Sequence, residues 1–503
     1  MDIQLVWLKR DLRLDDHPAL YGALERGPVV GLFVFEDGLL GHADTDSSHV
    51  QFVAEGLLEL RRAWAERGGI LLVRRGEMVE TLEALWRGLG FSDLWSHQET
   101  GNLWTYDRDL RVSAWCRERG IARHEPWQNG VVRRLKSRDG WAGYWNRRMT
   151  APALPAPETI RAPDIALPEP GAIPTLAQLG LPPSARTEVQ AAGELAAQET
   201  LASFLAQRSV QYRSDMSSPV TGWAGCSRLS TYLAWGNLSV RRVFQASQDR
   251  ARELKEARAR GEEVPASWLP SLSSFRSRLR WHCHFMQKLE DQPDLETEEM
   301  NRAYKGLRDA LRDPAKLEAF AEGRTGYPMV DACMRCLHQT GWINFRMRAM
   351  LVSFGTHHLS QPWQDIGGIL APLFLDFEPG IHYSQTQMQA GVTGINTVRI
   401  YSPAKQVADQ DPDGVFLKRW LPELEGVSKE YLPVPHEMPH LVQIAANCHI
   451  GRDYPPPIVE HKSAYAAARK RILEVRKTEA AKLEAKRVYR KHGSRRRPTR
   501  RRS

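Results

Sequence analysis

Arg346, Arg348, Asp376 and Glu378 stand in a stretch, Gly323–Leu424, that strings polar and charged residues along apolar helical segments. Gly326-Tyr327-Pro328 stops the chain before a long helix, Gly341-Trp342 marks its end, and Asn344–Phe354 starts another that carries both arginines. The hydrophobic run Ile366–Leu375 then delivers Asp376 and Glu378 to a polar loop. Such charges are costly to bury unless they pair with one another or grip a ligand. A structural salt bridge meets the same need, and spacing does not separate the two readings.

Upstream, Cys226-Ser227-Arg228-Leu229-Ser230, with Tyr212 before it, puts small hydroxyls and free amides at a helix start. That is a natural cradle for a pyrophosphate and equally an ordinary N-cap. The run Phe275–Phe285 sets Arg276, Arg278 and Arg280 before Trp281. Those bases suit phosphates, and an aromatic plate suits an extruded base, although core packing also explains a tryptophan. Cys333 and Cys336 share a helix face, but an iron–sulfur cluster needs two more thiolates at suitable spacing, and Cys448 stands alone far downstream. No metal centre is read from the chain.

The elements that must position these residues divide the chain. Its 503 residues exceed one ordinary core, so two or three domains are expected. Short apolar strands at Ile3–Leu8, Val29–Phe35, Ile70–Arg74 and Leu94–Ser96 alternate with helical patterns at Ser48–Glu66 and Met78–Gly88, which implies a parallel sheet. Lys9–Arg13 leaves the first strand as either a functional loop or a solvated charged turn. Nine prolines between Pro152 and Pro183 rule out regular structure there and indicate a surface linker. From about Glu188 to Leu424 the pattern is almost all helical, with segments at Val189–Ser209, Ser227–Trp235 and Leu272–Leu289. A last helix is read over Ala464–Arg490, leading into a stretch too charged to fold alone.

No run of about 18 apolar residues is present, so no membrane partner is expected. The opening Met1-Asp2-Ile3-Gln4 lacks a leader pattern, and six irregular cysteines suit a reducing compartment, so a cytoplasmic location is expected. The net charge of +9 is uneven: residues 461–503 hold 17 Lys/Arg against 3 Asp/Glu, and the remainder is acidic by 5. An anionic partner of the body must therefore meet a local patch.

The order and spacing of Gly323–Leu424 resemble the flavin-binding domain of the DNA photolyase/cryptochrome family, and the likeness runs from Ile3 to about Lys462. The opening from Trp7 to Leu20 is similar to the start of the family's antenna domain. The resemblance implies an α/β, Rossmann-like antenna domain over residues 1–130 and an all-α FAD-binding catalytic domain over 191–460. A proline-rich linker (131–190) would join them, and a basic tail (461–503) would follow. It further implies FAD, a second light-harvesting chromophore of unspecified identity, UV-damaged DNA as partner, and a monomer. The implied activity is light-dependent splitting of cyclobutane pyrimidine dimers; the alternative is a cryptochrome-like photoreceptor without repair.

The carry-over to single residues follows the motifs. Cys226–Ser230 resembles the family's Thr-Ser-x-Leu-Ser phosphate loop with Cys226 in place of Thr, and Tyr212 joins it. Arg348 and Asp376 match an ion pair beside the flavin ring, and Glu378 stands where a second Asp is usual. His382 falls where the family faces flavin N5, commonly with Asn. Trp281 takes the place of the lesion-stacking tryptophan, and Arg278 replaces an acid that binds the pyrimidines. With His382 and Asn344 these two form the implied catalytic set, while Arg276, Arg280, Trp281 and Arg346 are implied DNA contacts. Asn344-Phe345 replaces the paired histidines of (6-4) photolyases, which argues against (6-4) repair. Of the electron-transfer tryptophan chain only Trp363 remains, with Ala310 and Thr386 at the other two places. Glu99 lies near the family's antenna-pocket acid.

Overall fold

Residues 2–494 are described by the computed structural model. Five parallel strands, β1 (Gln4–Trp7), β2 (Val29–Phe35), β3 (Ile70–Arg75), β4 (Asp93–Trp95) and β5 (Ala122–His124), pair in the order β3-β2-β1-β4-β5. Side chains alternate across a strand, so each face needs its own cover. Val6, Val29, Phe33 and Leu71 pack with residues of the Pro18–Arg26 and Ser47–Glu66 helices. Leu5, Trp7, Val30 and Leu32 pack on the other side with the Met78–Leu89 and Leu103–Arg119 helices. The fifth strand escapes sequence reading because Ala-Arg-His offers no apolar run.

The proline-rich stretch is irregular, but the Trp141–Thr150 helix lies ahead of it, inside the segment read as linker. Trp141, Trp145 and Met149 bury one side of that helix, which explains why it forms among so many breakers. The helix expected over Ala464–Arg490 is two helices, His461–Lys477 and Glu479–His492, because Thr478 ends one and caps the next by accepting from Ala481 N. Ala468, Ile472, Ala481, Val488 and His492 are buried, so these charged helices dock on the body. Residues 495–503, the end of the expected tail, lie outside the described residues.

The loop after β1 is neither a solvated turn nor an open loop. It is a buried clasp between sheet and helices. Arg13 donates to the Gly236 carbonyl at 2.9 Å, and the Leu14 and Asp15 amides donate to Glu194 at 2.7 and 2.9 Å. Asp16, 2% exposed, accepts from Ser239 and from Arg241, with the Arg241 Nε at 3.0 Å. Breaking such a pair strands a buried charge. Arg241→Ala should therefore cost about 3–5 kcal/mol in a urea unfolding curve. Adding Asp16→Asn should recover part of that loss; strictly additive losses would show that the two do not act as a pair.

Candidate functional site

Three of the four charged residues singled out by spacing, Arg348, Asp376 and Glu378, meet around one turn, whereas Arg346 turns to Ser217. Arg348 grips Asp376 with two parallel hydrogen bonds, both 2.9 Å. Its Nε donates to the Ile343 carbonyl at 2.8 Å, and its guanidinium lies 4.3 Å from the Phe374 ring centre. Burial pushes the Asp376 carboxyl up, but Arg348 and a hydrogen bond from Ser230 bring it below the ordinary carboxylate range.

Other members of the Cys226–Ser230 cradle differ in placement. Arg228 adopts a left-handed backbone, φ +61°, a costly state outside glycine. Its guanidinium packs against two indoles that meet edge-on, 3.8 Å from the Trp342 ring centre and 4.2 Å from Trp223. Burial lowers its pKa to about 10, against the supporting charge of Asp376. Ser227 Oγ accepts from the Leu229 amide at 3.4 Å, whereas the Leu229 side chain belongs to the core. Burial pushes the Cys226 thiol up to about 12, so it stays neutral. Tyr212 is buried edge-on between Phe204 and Phe275.

Glu378 does not stand free toward a ribose; it forms an ion pair with His282 at 2.7 Å. Burial opposes the imidazolium, but Glu378 raises the His282 pKa to about 10. Between the two acids, the Phe377 carbonyl accepts from Arg10 of the β1 loop at 2.7 Å, and Arg10 stacks 4.4 Å from the Trp235 ring centre. His382 is buried among Phe374, Phe377 and Tyr383. Its Nε2 lies 2.9 Å from the Gly367 carbonyl, which places the proton on Nε2 and leaves Nδ1 as an acceptor. Burial lowers its pKa, so the ring is neutral. Next to it the Tyr383 hydroxyl donates to Asp44 at 2.7 Å.

The Trp268–Asp291 helix sorts its bases by face. Arg278 and the half-buried Trp281 are three residues apart and share a side, with Arg278 exposed. Arg276 donates to the Ser247 carbonyl at 2.9 Å. Arg280 donates to Asn146 Oδ1 at 3.1 Å and covers Trp145. These two hold neighbouring helices. The Trp281 ring packs 5.4 Å from both His284 and Phe285. Asn344 donates to the Ser217 carbonyl at 2.8 Å and Arg346 to Ser217 Oγ at 3.2 Å, so both fasten the loop above them. Trp363 is buried and donates to Glu299 at 3.2 Å. Ala310 sits in the Asp309–Leu311 turn and Thr386 is buried in the Pro379–Gln389 helix. Cys333 and Cys336 are buried thiols whose pKa values burial raises. Glu99 is gripped by Arg108 at 2.6 Å and faces Lys9 at 3.5 Å.

Arg10 belongs to the Lys9–Arg13 loop that sequence left open as functional, but His282, Tyr383, Trp223 and Trp342 were not singled out for a role at the site. The partners of His282 and Tyr383 lie far away in the chain, and only the proximity of His282 to Trp281 could have flagged it.

Comparison with known proteins agrees with this geometry. Residues 4–140 match the DNA photolyase family and residues 275–474 match the FAD binding domain of DNA photolyase. A deoxyribodipyrimidine photo-lyase of Thermus thermophilus is 32% identical over 83% of this chain and 92% of its own length. The chain is a member of the DNA photolyase/cryptochrome family. Cryptochrome-2 of Arabidopsis thaliana is 28% identical over 94% of this chain and 79% of its own. A bacterial class III photolyase from Agrobacterium tumefaciens superimposes with a TM-score of 0.83 at 24% identity, covering 95% of this chain and 98% of its own. No described helix is long and apolar enough to cross a membrane.

FAD is the cofactor of this domain, and the residues fit it. Arg228 Nη1, Thr231 Oγ1, Asn344 Oδ1 and Arg346 Nε are buried without a hydrogen-bond partner among the described residues. Donors and acceptors of that kind are what a dinucleotide would satisfy. Asp376→Ala or Arg348→Ala, each leaving a buried charge alone, should lose most FAD from purified protein, read from the flavin-to-protein absorbance ratio; full retention in both would remove the ion pair from the site.

The His282–Glu378 pair sets a second expectation. A histidine whose pKa rises from 6.5 to about 10 stabilises fully below pH 6.5 and loses that contribution as pH climbs through about 10. The melting-temperature advantage over His282→Gln should therefore shrink between pH 7 and 10. A gap that is constant across this window would show that the imidazole is neutral.

Proposed function

We propose that the protein is a deoxyribodipyrimidine photo-lyase that splits cyclobutane pyrimidine dimers in DNA under blue light. The observation that carries the reading is the pairing of Trp281 and Arg278 on one face, half-buried plate beside exposed cation, in a chain whose Arg348–Asp376 pair suits the flavin. Bound FAD supplies the light-driven electron that opens the dimer. The chain's own residues do the rest. Arg348 keeps a positive charge where the reduced ring is anionic, and neutral His382 presents an acceptor rather than a second cation. Trp281 offers a stacking surface that compensates an extruded dinucleotide for lost base stacking. Arg278 offers N–H donors to a phosphate or a base carbonyl, in place of the acid usual there. A second, light-harvesting chromophore belongs to the proposal; an archaeal photolyase of the same fold, TM-score 0.75, holds two FAD molecules.

The cryptochrome relatives supply the rival reading, a photoreceptor without repair. The deciding measurement is loss of dimers from an irradiated oligonucleotide, in blue light and in darkness, after chemical reduction of the flavin. Loss in light alone supports repair; a photoactive flavin with no loss supports the rival. Trp281→Ala should reduce preference for damaged over undamaged DNA by about tenfold or more, since stacking is worth roughly 1–3 kcal/mol per base. A folded variant that keeps both repair and preference would place lesion recognition elsewhere.

A further inference from the structure

We propose that the His461–Lys477 and Glu479–His492 helices form a second nucleic-acid surface, one that grips the phosphate backbone of duplex DNA whether or not it is damaged. The choice of duplex DNA as partner rests on the repair reading; the surface itself rests on charge and placement. Residues 461–494 hold eleven Lys/Arg against three Asp/Glu, while the chain before them is acidic. Each of the three acids is matched within the same helices: Glu474 faces Lys470 at 4.0 Å, Glu479 faces Lys482 at 2.6 Å, and Glu484 faces Arg487 at 2.9 Å. Basic residues remain in excess, and Arg476, Lys477, Lys486, Arg490 and Lys491 are exposed, with Lys491 also acting on Asp291 of the body.

The second helix has two distinct sides. Ala481, Val488 and His492 are buried, and Val488 packs with Leu289, Leu295 and Met300. Asn301 donates to the Ala481 carbonyl at 3.2 Å, and Arg487 donates to the Met300 carbonyl at 3.0 Å. On the outer side Leu483, Lys486, Tyr489 and Arg490 line a shallow open depression. Basic side chains interleaved with one aromatic suit a backbone lined with phosphates. A bilayer would require a continuous apolar face, and in this helix only Leu483 and Tyr489 expose large hydrophobic groups.

Placement ties this surface to the lesion face. His492 Nε2 lies 2.9 Å from Gln292 Oε1, which docks the last helix against the residue that ends the Trp268–Asp291 helix. Trp281 lies about 16 Å back along that axis, well within the roughly 34 Å of one DNA turn. Trp281 and the basic helices thus fall within the span of one DNA turn, with the buried residues Cys283–Leu289 between them. Beyond Ser494 the chain continues with six arginines in residues 495–503.

The test uses FAD-loaded protein and follows binding of undamaged and dimer-containing duplex against salt. The variants are the quadruple Lys477→Gln, Lys486→Gln, Arg490→Gln, Lys491→Gln and, separately, a chain ending at Ser494. Each phosphate contact contributes about 0.9 to the slope of log affinity against log salt, so the quadruple variant, if each of its four cations meets one phosphate, should lower the slope by about 3.6. Affinity at low salt should fall about tenfold or more and equally for both duplexes, with flavin content unchanged. In the unaltered chain, backbone amides of residues 479–492 should gain hydrogen-exchange protection on undamaged duplex. An unchanged slope, or protection by vesicles containing phosphatidylserine but not by duplex, would overturn the proposal. A lowered slope in a protein that repairs nothing would uphold the surface and sink the repair reading alone.

Discussion

Among the contacts that hold the two halves of the molecule in register, one guanidinium, Arg10, reaches the turn between the two acids of the site. It reaches from the loop after β1 to the Phe377 carbonyl, the one residue between Asp376 and Glu378. Those acids turn to different partners, Arg348 and His282, on different helices. The sheet domain therefore has a direct hand in the geometry of the flavin site, although none of its strands touches the ion pair. The neighbouring contacts of Arg13 and Asp16 bury the same loop, and the order β3-β2-β1-β4-β5 places it where strand order reverses. Open parallel sheets commonly present their functional loops at that point. Here the helical domain covers it.

Charge is kept in some places and removed in others, and burial decides which. The pairs Arg348–Asp376, His282–Glu378 and Arg241–Asp16 hold opposite charges close together, and the first and third are further fixed by hydrogen bonds. Where no acid lies close, burial favours the neutral form. It lowers the His284 and His492 pKa values to about 2 and that of Lys288 to about 7, with Arg138 adding to all three shifts. The aromatic stack behind Trp281 thus rests on neutral rings with the buried Arg138 guanidinium against His284, while exposed cations stand on Arg278, Arg280 and the last two helices. For an acidic body that must meet a polyanion, this separation limits repulsion to the faces that do not bind.

The Trp268–Asp291 helix is the common frame of these faces. Near its middle it carries Trp281 and Arg278, and at its end Gln292 receives the C-terminal helix. Arg276 and Arg280, which looked alike in sequence, fix the helix to its neighbours. A rigid helix fastened along its length gives an aromatic plate a defined position, which stacking requires.

Much of this was open to sequence reading. The strands β1 to β3, the helical second half, the Arg348–Asp376 pair and the Ser230 cradle all follow from periodicity, breakers and the motifs shared with the family, because they depend on residues close in the chain or on patterns of burial. β5 was hidden by its lack of an apolar run, and the Trp141–Thr150 helix by the prolines beyond it. The fate of Glu378 could not be read, since its partner His282 lies in a helix 96 residues earlier and nothing local links them. Nor could sequence divide Arg276, Arg278 and Arg280, because the division depends on which neighbours pack against each face. It determined the kinds of residue available for chemistry. Which charges pair, which ring is neutral and which arginine side chains find a protein partner were decided by tertiary packing, which sets the distance and the desolvation on which each interaction depends.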